Sequence, residues 1–294
     1  MGGFWIWQLS VTAVLVSASA LYLRGWLKLQ RYQLARQSPT ARRAAHRALA
    51  LFLAGLALLS IALLSPLHLL AEQYFTARTA QHLLLIGAAP SLLLSANPLP
   101  VLAQGLPARW LGWLARCSRL TPAVAQTGRA LTSAGAVWVL FAATFWLWYD
   151  PALHQATREH GWLRAVEAGS LLGTAVLYWW RITGAWPRTH RPLPTVLRIG
   201  YTFAGVVAIK AVGVIFMFMP DALYAYAAVF QFGNLAVSDQ LLGGVIFWAL
   251  GGSVYALTAL LLLRQWLGQE ENKPGLPENA WATEEAMLAP GLKK

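Results

Sequence analysis

The sequence predicts an all-α, polytopic membrane protein with seven transmembrane helices. Of its 294 residues, 57% are hydrophobic and only 12% are charged, a balance that is too apolar for a water-soluble domain. Several uncharged runs approach the length of about 20 residues that an α-helix needs to cross the hydrocarbon core of a bilayer. The basic residues cluster between these runs, as the positive-inside rule expects.

The apolar runs give the helices in chain order, and aromatic or charged residues typical of membrane interfaces flank them. The predicted helices cover about 4–23, 48–70, 82–101, 130–149, 162–180, 199–219 and 240–264. Pro90 lies inside the third run, where it removes the partner of the carbonyl four residues earlier. A break is therefore expected there, with neighbouring helices satisfying the freed group. A further stretch at 106–120 has one apolar face and predicts a helix lying on the inner leaflet.

The distribution of Lys and Arg predicts the orientation. Of the 23 Lys and Arg residues, 19 lie in the linkers after the first, third and fifth helices and around the end of the seventh. Three others, Arg78, Arg158 and Arg164, lie in or beside the alternate connections. This asymmetry puts the N-terminus outside and the C-terminus in the cytoplasm. Residues 1–268 form the predicted membrane domain, and the Pro- and Glu-rich residues 269–294 form a mobile cytoplasmic tail.

Composition also excludes several classes of function. The net charge of +12 would suggest nucleic acid in a soluble protein, but here the positive-inside rule accounts for it, so the bilayer and not nucleic acid is the expected partner. Cys117 is the single cysteine, which excludes an internal disulfide or a paired-thiolate metal site. The chain has no nucleotide-binding loop, nucleophile elbow or catalytic triad, so we do not expect an enzyme.

Polar chemistry concentrates at the predicted outer side. His68, Glu72, His82 and Asp239 all lie near the outer ends of helices, and imidazole and carboxylate groups together can bind copper. A structural role competes with this interpretation. Ser238-Asp239, for example, also suits a helix N-terminus, where a hydroxyl caps free amides and a carboxylate meets the helix dipole.

Two ionisable residues lie within the apolar runs. Lys210 is near the middle of the sixth helix and Glu167 about one turn into the fifth. An unpaired charge at that depth costs at least about 2.5 kcal/mol, so we expect Lys210 to pair with Glu167. The pair would either fix helix packing or serve a small-solute or proton-coupled transporter. A retinal photoreceptor would need Lys210 as its Schiff-base residue, but this lysine is not in the last helix.

Three motifs resemble those of the CtaG-type cytochrome c oxidase assembly factors. They are QHLLLxxAAP from Gln81 onward with a following Asn97-Pro98, the Tyr149-Asp150-x-Ala152-Leu153 turn, and Asp239-Gln240-x-x-Gly243-Gly244 with Trp248 and Gly251-Gly252. The resemblance implies a seven-helix protein of the bacterial inner (plasma) membrane that helps to mature a haem-copper oxidase. Its partners would be cytochrome c oxidase subunits. Its role would be copper-ion handling or scaffolding at the outer face.

The chain departs from the family at the residues that would bind metal. The family pattern has a His-x-x-x-His pair on the third helix and another on the fifth. Here Arg78 precedes His82, while Arg164 and Ala168 occupy the second pair of positions. The resemblance couples His82 to Asp239 across an outward-facing pocket, with low copper affinity because the other histidines are missing. The two arginines favour, as an alternative, a site for an anion or an acidic partner.

Overall fold

The computed structural model describes residues 2–32, 38–107, 109–110, 112, 122–219, 223–224, 226, 229–232 and 235–272. We number its elements in chain order. The helices are α1 Gly2–Tyr32, α2 Pro39–Leu64, α3 Pro66–Gln73, α4 Phe75–Leu83, α5 Ala89–Ser95, α6 Pro98–Gly105, α7 Pro122–Leu131, α8 Ala134–Leu147, α9 Pro151–Glu159, α10 Gly161–Thr183, α11 Thr195–Phe218, α12 Asp239–Leu250 and α13 Ser253–Glu271. A π-helical turn, Leu84–Ala88, joins α4 to α5, and the strands are β1 Val229–Phe232 and β2 Leu235–Ser238.

The described residues are all-α apart from one hairpin, and they include several helices that suit a membrane. Four described segments are long and apolar enough to cross one: Trp7–Arg31, Pro39–Leu64, Thr195–Phe218 and Asp239–Glu271. Two bent helix pairs, which turn through 67° and 69°, raise the number to six if each pair forms one span. The remaining predicted span corresponds to α10, a helix of 23 residues that carries Arg164, Glu167 and Arg181.

Local sequence explains where the helices break. Ser65 ends α2 and caps α3, because its hydroxyl accepts from the amide of Leu67 and Pro66 fits the first helical turn. Asn97 takes the left-handed conformation, with φ 47°, at the 67° bend between α5 and α6. Asparagine tolerates this conformation better than most residues, so the bend has a sequence cause.

The break that we predicted at Pro90 takes the form of the π-helical turn. Proline cannot donate to the carbonyl of Ile86, and that oxygen is instead satisfied from other helices. The indole N–H of Trp179 donates to it at 2.8 Å and the hydroxyl of Tyr255 at 3.2 Å. Both donors are buried. The helix is therefore held at its break by α10 and α13.

Two apolar clusters hold the bundle together. One is formed mainly by α8, α10, α11, α12 and α13, and the other mainly by α1, α2, the π-helical turn and α5. Helices α1 and α6 cross so closely that a methyl group on Gly25 would lie 1.9 Å from the carbonyl oxygen of Val101. Small residues at such crossings are typical of packing between membrane helices.

A short hairpin was missed by the sequence analysis. Strands β1 and β2 pair antiparallel, with Val229 opposite Ser238 and Phe232 opposite Leu235. The segment lies between two spans and was expected to be a loop. Strand β2 runs directly into α12, so the hairpin fixes the entry of that helix.

Two predictions fall largely outside the described residues. The surface helix expected at 106–120 is described only at 106–107, 109–110 and 112, and the tail only as far as residue 272. Helix α13 extends to Glu271, which is three residues beyond the predicted end of the membrane domain.

Candidate functional site: a buried charged cluster

The candidate site is a charged cluster formed by Glu72, Arg78, His82, Arg164 and Glu167 together with His68. Its centre is the ion pair between Arg78 on α4 and Glu167 on α10, with 2.5 Å between Nη2 and Oε2. Both side chains are almost fully buried, at 1% and 2% exposure. The same Nη2 also donates to the hydroxyl of Thr157 on α9. Arg78 therefore joins three helices.

His82 lies one turn after Arg78 on the same face of α4, because residues four apart are neighbours on a helix. Its Nδ1 is 2.6 Å from the hydroxyl of Tyr149, which lies just after the end of α8. Its Nε2 is 3.5 Å from Oε1 of Glu167. Each ring nitrogen thus faces a partner, and a line of polar groups runs from Tyr149 through His82 to Glu167 and Arg78.

A second ion pair lies beside the first. Arg164, one turn before Glu167 on α10, forms an ion pair with Glu72 on α3 and donates to the backbone oxygen of His68. The Arg164 side chain is largely buried, but the Glu72 side chain is 53% exposed. The cluster therefore reaches the surface at Glu72.

His68 and Gln81 connect the two ion pairs to α2. The amide nitrogen of Gln81 donates to the backbone oxygen of Ala62 at 2.7 Å and lies 3.1 Å from Nδ1 of His68. Helix α3 lies beyond the end of the α2 span. Burial, together with the positive charges of Arg164 and Arg78, lowers the pKa of His68 to about 4. The ring is therefore neutral near pH 7.

The charges in the cluster balance, with two arginines and two glutamates. Such balance is required because a single unpaired buried charge costs several kcal/mol. The hydrogen bonding is incomplete, however. Among the described residues, Nε and Nη1 of Arg78 and Oε1 of Glu167 are buried without a hydrogen-bond partner. The cluster thus holds polar atoms that are available to a water molecule or to a proton.

Aromatic side chains close the cluster on the side of the hairpin. The ring of Phe75 contacts those of Tyr149, Phe216 and Tyr224 with centroid distances of 5.0–6.4 Å. The hydroxyl of Tyr224 donates to the backbone oxygen of Tyr149 at 2.7 Å. His154 lies in α9 with 1% exposure and packs on Tyr224. These rings help to separate the ion pair of Arg78 and Glu167 from solvent.

Asp239, the first residue of α12, has a structural role at the start of α4. Its carboxylate accepts from the backbone amides of Phe75 and Thr76 and from the Thr76 hydroxyl. Those amides begin α4, where backbone donors lack helical partners and where a negative charge is favoured by the helix dipole. Asp239 therefore caps a helix from across the fold, and Ser238 caps α12, the helix that Asp239 begins.

The predicted approach of His82 to Asp239 is not found. Asp239 binds the first residues of α4, whereas His82 is seven residues further on, about 10 Å along the axis. The carboxylate is fixed by the unpaired amides of the helix start, and the imidazole is fixed by Tyr149 and Glu167. Asp239 therefore contacts the first turn of α4, whereas His82 lies in its last turn, and the two side chains do not share a pocket.

The predicted pair of Lys210 and Glu167 is also corrected. Glu167 pairs with Arg78, and Lys210 donates to the backbone oxygen of Trp248 at 2.7 Å with its ammonium 4.9 Å from the Trp248 ring centroid. The physical reason is the break between α12 and α13. Carbonyls in the last turn of a helix lack amide donors, and the lysine ammonium satisfies one of them.

The remaining motif residues position the helices. The side-chain oxygen of Gln240 accepts a hydrogen bond from the backbone amide of Leu223 at 2.7 Å. A methyl group on Gly243 would lie 2.3 Å from the Phe75 ring, and one on Gly244 would lie 3.0 Å from the backbone oxygen of Gly213. The two glycines therefore allow α12 to approach α4 and α11.

The cluster does not fit a copper ion. Both nitrogens of His82 face other side chains, the Asp239 carboxylate accepts hydrogen bonds from a helix end, and Glu72 and Glu167 pair with arginines. No group of three His, Cys, Asp or Glu side chains suited to a metal ion occurs in the part of the chain that the structure describes. The arginines add positive charge, which opposes the binding of a cation.

Sequence reasoning missed Arg78, Arg164, Tyr149 and Thr157 as members of the site. The two arginines were noted as departures that favour an anion or an acidic partner, and their partners are the internal glutamates. A usable signal was present, since charged residues on membrane helices face the bundle interior and pair there. Two arginines and two glutamates at one level of the bundle satisfy that rule.

Comparison with known proteins identifies the relatives of this architecture. The model of the cytochrome c oxidase caa3 assembly factor family, Caa3_CtaG, matches residues 20–269. Uncharacterised proteins of Mycobacterium bovis and Mycobacterium tuberculosis are each 29% identical over 209 residues, and one of Mycobacterium leprae is 25% identical over 209 residues. The match covers 67% of this chain but 30% of each relative's length. No solved structure matches the chain.

Proposed function

Because the chain belongs to the cytochrome c oxidase caa3 assembly factor family, we propose that it supports the assembly of a haem-copper oxidase as a scaffold in the bacterial inner membrane. Its partners are oxidase subunits. The working surface is the end of the bundle that carries α3, α9 and the hairpin, on the outer side of the membrane. The role is that of a chaperone and not of an enzyme.

One observation supports scaffolding over copper carriage: the candidate ligands are already engaged by protein groups. His82 and Glu167 lie within a network that includes Arg78, and Asp239 caps α4. A metal ion would have to displace these partners and would leave a buried guanidinium unpaired, at a cost of several kcal/mol. The same network joins α3, α4, α9 and α10 into a rigid unit on which a partner can dock.

The transporter alternative relied on Lys210 and Glu167 acting together. In the structure each of these residues has a different partner. The geometry therefore favours no transport role.

The test measures the composition of the client oxidase. Cells that lack this protein are complemented with the wild-type chain or with His82→Gln, and the oxidase is purified. Haem is measured by absorbance and copper by elemental analysis. If the chain acts as a scaffold, His82→Gln leaves the copper-to-haem ratio of the assembled oxidase unchanged. Any loss lowers the haem, copper and subunit yields together.

Copper carriage has a different signature. It would leave oxidase subunits and haem in place while the enzyme becomes short of copper in the His82→Gln strain. That outcome, or stoichiometric copper in the purified wild-type chain that His82→Gln loses, would overturn the scaffold proposal. His160→Gln is a matched control, because His160 is exposed and lies outside the charged cluster.

A further inference from the structure

The opposite end of the bundle carries a basic crevice of about 660 Å³. Its lining combines four arginines from separate parts of the chain with leucines from the helices. The arginines are Arg43 and Arg47 on α2, Arg188 in the linker after α10, and Arg198 on α11. No aspartate or glutamate is among the described residues that line the crevice. The site is separate from the charged cluster.

Among the described residues, no carboxylate forms an ion pair with the arginines of the crevice. The three ion pairs among the described residues all involve members of the charged cluster, and none includes these arginines. Helix dipoles nearly cancel here, since α2 and α11 begin near the crevice while α5 and α10 end there, each end contributing about half a unit charge. The described part of the chain therefore leaves four guanidinium charges at the crevice without an ion-pair partner.

The crevice changes from basic to apolar along its walls. On α2, residues Arg43, Arg47 and Leu51 line it at intervals of four, so they descend one face by about 6 Å per step. Leu94 and Leu261 continue the apolar part, and Leu261 is 46% exposed. A ligand for this site has an anionic head and an apolar chain.

Two local features hold the rim in place. The Nε of Arg198 donates to the backbone oxygen of Ile182 at 2.7 Å, near the end of α10. This bond uses one of the five N–H donors of the side chain. Gly184 then turns the chain in the left-handed conformation, with φ 65°, and both Gly184 and Asn97 line the crevice. The guanidinium of Arg198 is thus oriented before any ligand arrives.

We propose that this crevice binds one anionic phospholipid, with its phosphate among Arg43, Arg47, Arg188 and Arg198 and an acyl chain along Leu51, Leu94 and Leu261. Basic recesses between membrane helices are suited to anionic headgroups, because the phosphate satisfies several arginines at once while its chains stay in the bilayer. The inference is independent of the role in oxidase assembly.

The experiment measures lipid retention by the full chain. Delipidated protein in detergent is titrated with dioleoyl phosphatidylglycerol or dioleoyl phosphatidylcholine, and bound lipid is counted by native mass spectrometry. The wild-type chain should retain one phosphatidylglycerol and release phosphatidylcholine. Arg47→Gln/Arg188→Gln should weaken phosphatidylglycerol binding by about twenty-five-fold, since each basic residue contributes about fivefold. Arg264→Gln, which removes an exposed arginine outside the lining, should change it by less than about twofold.

Equal phosphatidylglycerol affinity in the wild-type chain and the double variant would overturn the proposal. Displacement of the lipid by an equimolar amount of inorganic phosphate would also overturn it, because the site would then recognise a soluble anion. Arg47→Lys/Arg188→Lys keeps the charges if the glutamine variant does not fold, and it should retain most of the binding. Affinity for the wild-type chain that is independent of salt concentration would contradict an electrostatic site.

Discussion

Trp179 donates its indole N–H to the carbonyl oxygen of Ile86 at 2.8 Å, and so satisfies the group that Pro90 leaves without a helical donor. Tyr255 contributes a second, longer bond to the same oxygen. A proline inside a membrane helix is therefore tolerated here because two neighbouring helices supply the missing hydrogen bond.

This relationship predicts a non-additive effect on stability. Trp179→Phe should lower the free energy of unfolding by about 1 kcal/mol, because Tyr255 still serves the Ile86 carbonyl. Trp179→Phe/Tyr255→Phe should cost more than the sum of the single changes, since the buried oxygen is then unsatisfied. Unfolding in mixed detergent, followed by circular dichroism, measures both. Trp146→Phe, at a 43% exposed tryptophan, is the control, and strict additivity would contradict the shared role.

The ion pair between Arg78 and Glu167 predicts a rescue. Arg78→Gln should destabilise the chain by about 3–5 kcal/mol, because it leaves a buried carboxylate uncompensated. Arg78→Gln/Glu167→Gln should recover most of this loss. The loss of thermal stability in detergent is the measurement.

Two comparisons make this prediction specific. Glu72→Gln should cost less than Arg78→Gln, because the Glu72 side chain is 53% exposed and water can replace part of its interaction with Arg164. The effects of Lys210→Met and Glu167→Gln on the free energy of unfolding should be additive, because each residue has its own partner. A strong coupling between Lys210 and Glu167, with none between Arg78 and Glu167, would reverse the assignment of partners.

Close packing of α12 against α4 predicts the effect of a single methyl group. Gly243→Ala would place that group 2.3 Å from the Phe75 ring, so it should destabilise the chain by about 1–3 kcal/mol. Gly173→Ala meets nothing within 4 Å and should be neutral or stabilising by up to about 1 kcal/mol. Thermal unfolding of the two variants decides the matter, and equal midpoints would argue against the tight contact.

The helices could be predicted from sequence because length and apolarity determine them. Each of the seven predicted runs is helical over most of its length in the structure. The predicted helix ends differ from the observed ends by several residues where a capping residue determines the boundary. Ser65, for example, ends the second span six residues early and begins a separate short helix, α3.

The partners within the site could not be predicted in the same way. A helix that is apolar all round gives no signal of which face turns inward, so hydropathy does not fix its rotation. Three basic residues, Arg78, Arg164 and Lys210, were therefore equally available to Glu167. In the structure, the rotation of α4 and α10 about their axes brings Arg78 to Glu167. Lys210 instead donates to a backbone carbonyl that lacks a helical donor at the break between α12 and α13.

The environment of His68 predicts a dependence of stability on pH. Its pKa is lowered to about 4 by burial and by nearby arginines, whereas an unfolded chain holds histidine near pKa 6.5. Between those values the unfolded state binds more protons, so stability falls as the pH is lowered from about 6.5 to 4. The loss from this residue approaches about 3 kcal/mol at the acid end.

His68→Asn isolates this contribution. The variant keeps an acceptor for Gln81 but cannot take up a proton, so its unfolding midpoint should vary less with pH across that window than the midpoint of the wild-type chain. His160→Asn is the matched control, because His160 is exposed. Identical slopes for the wild-type chain and His68→Asn would show that His68 does not titrate as described.

The orientation of the chain and the status of α10 can be tested together. His160 and Arg191 are both exposed and lie on either side of α10. At about 1.5 Å per residue, the 23 residues of α10 extend roughly 35 Å, enough to cross a bilayer. Its internal charges are tolerable because they have partners or lie near an end of the helix. Arg164 pairs with Glu72 and Glu167 with Arg78 within the bundle, and Arg181 lies in the last turn. We therefore expect α10 to cross the membrane as well, which brings the number of spans to seven.

The measurement is cysteine labelling of intact cells with a membrane-impermeant maleimide, in a Cys117→Ser background. The positive-inside rule predicts that His160→Cys is labelled from outside and that Arg191→Cys is labelled only after the membrane is opened. Labelling of both positions from the same side would mean that α10 does not cross. Labelling of Arg191→Cys alone from outside would invert the orientation and place the basic crevice, instead of the charged cluster, on the outer face.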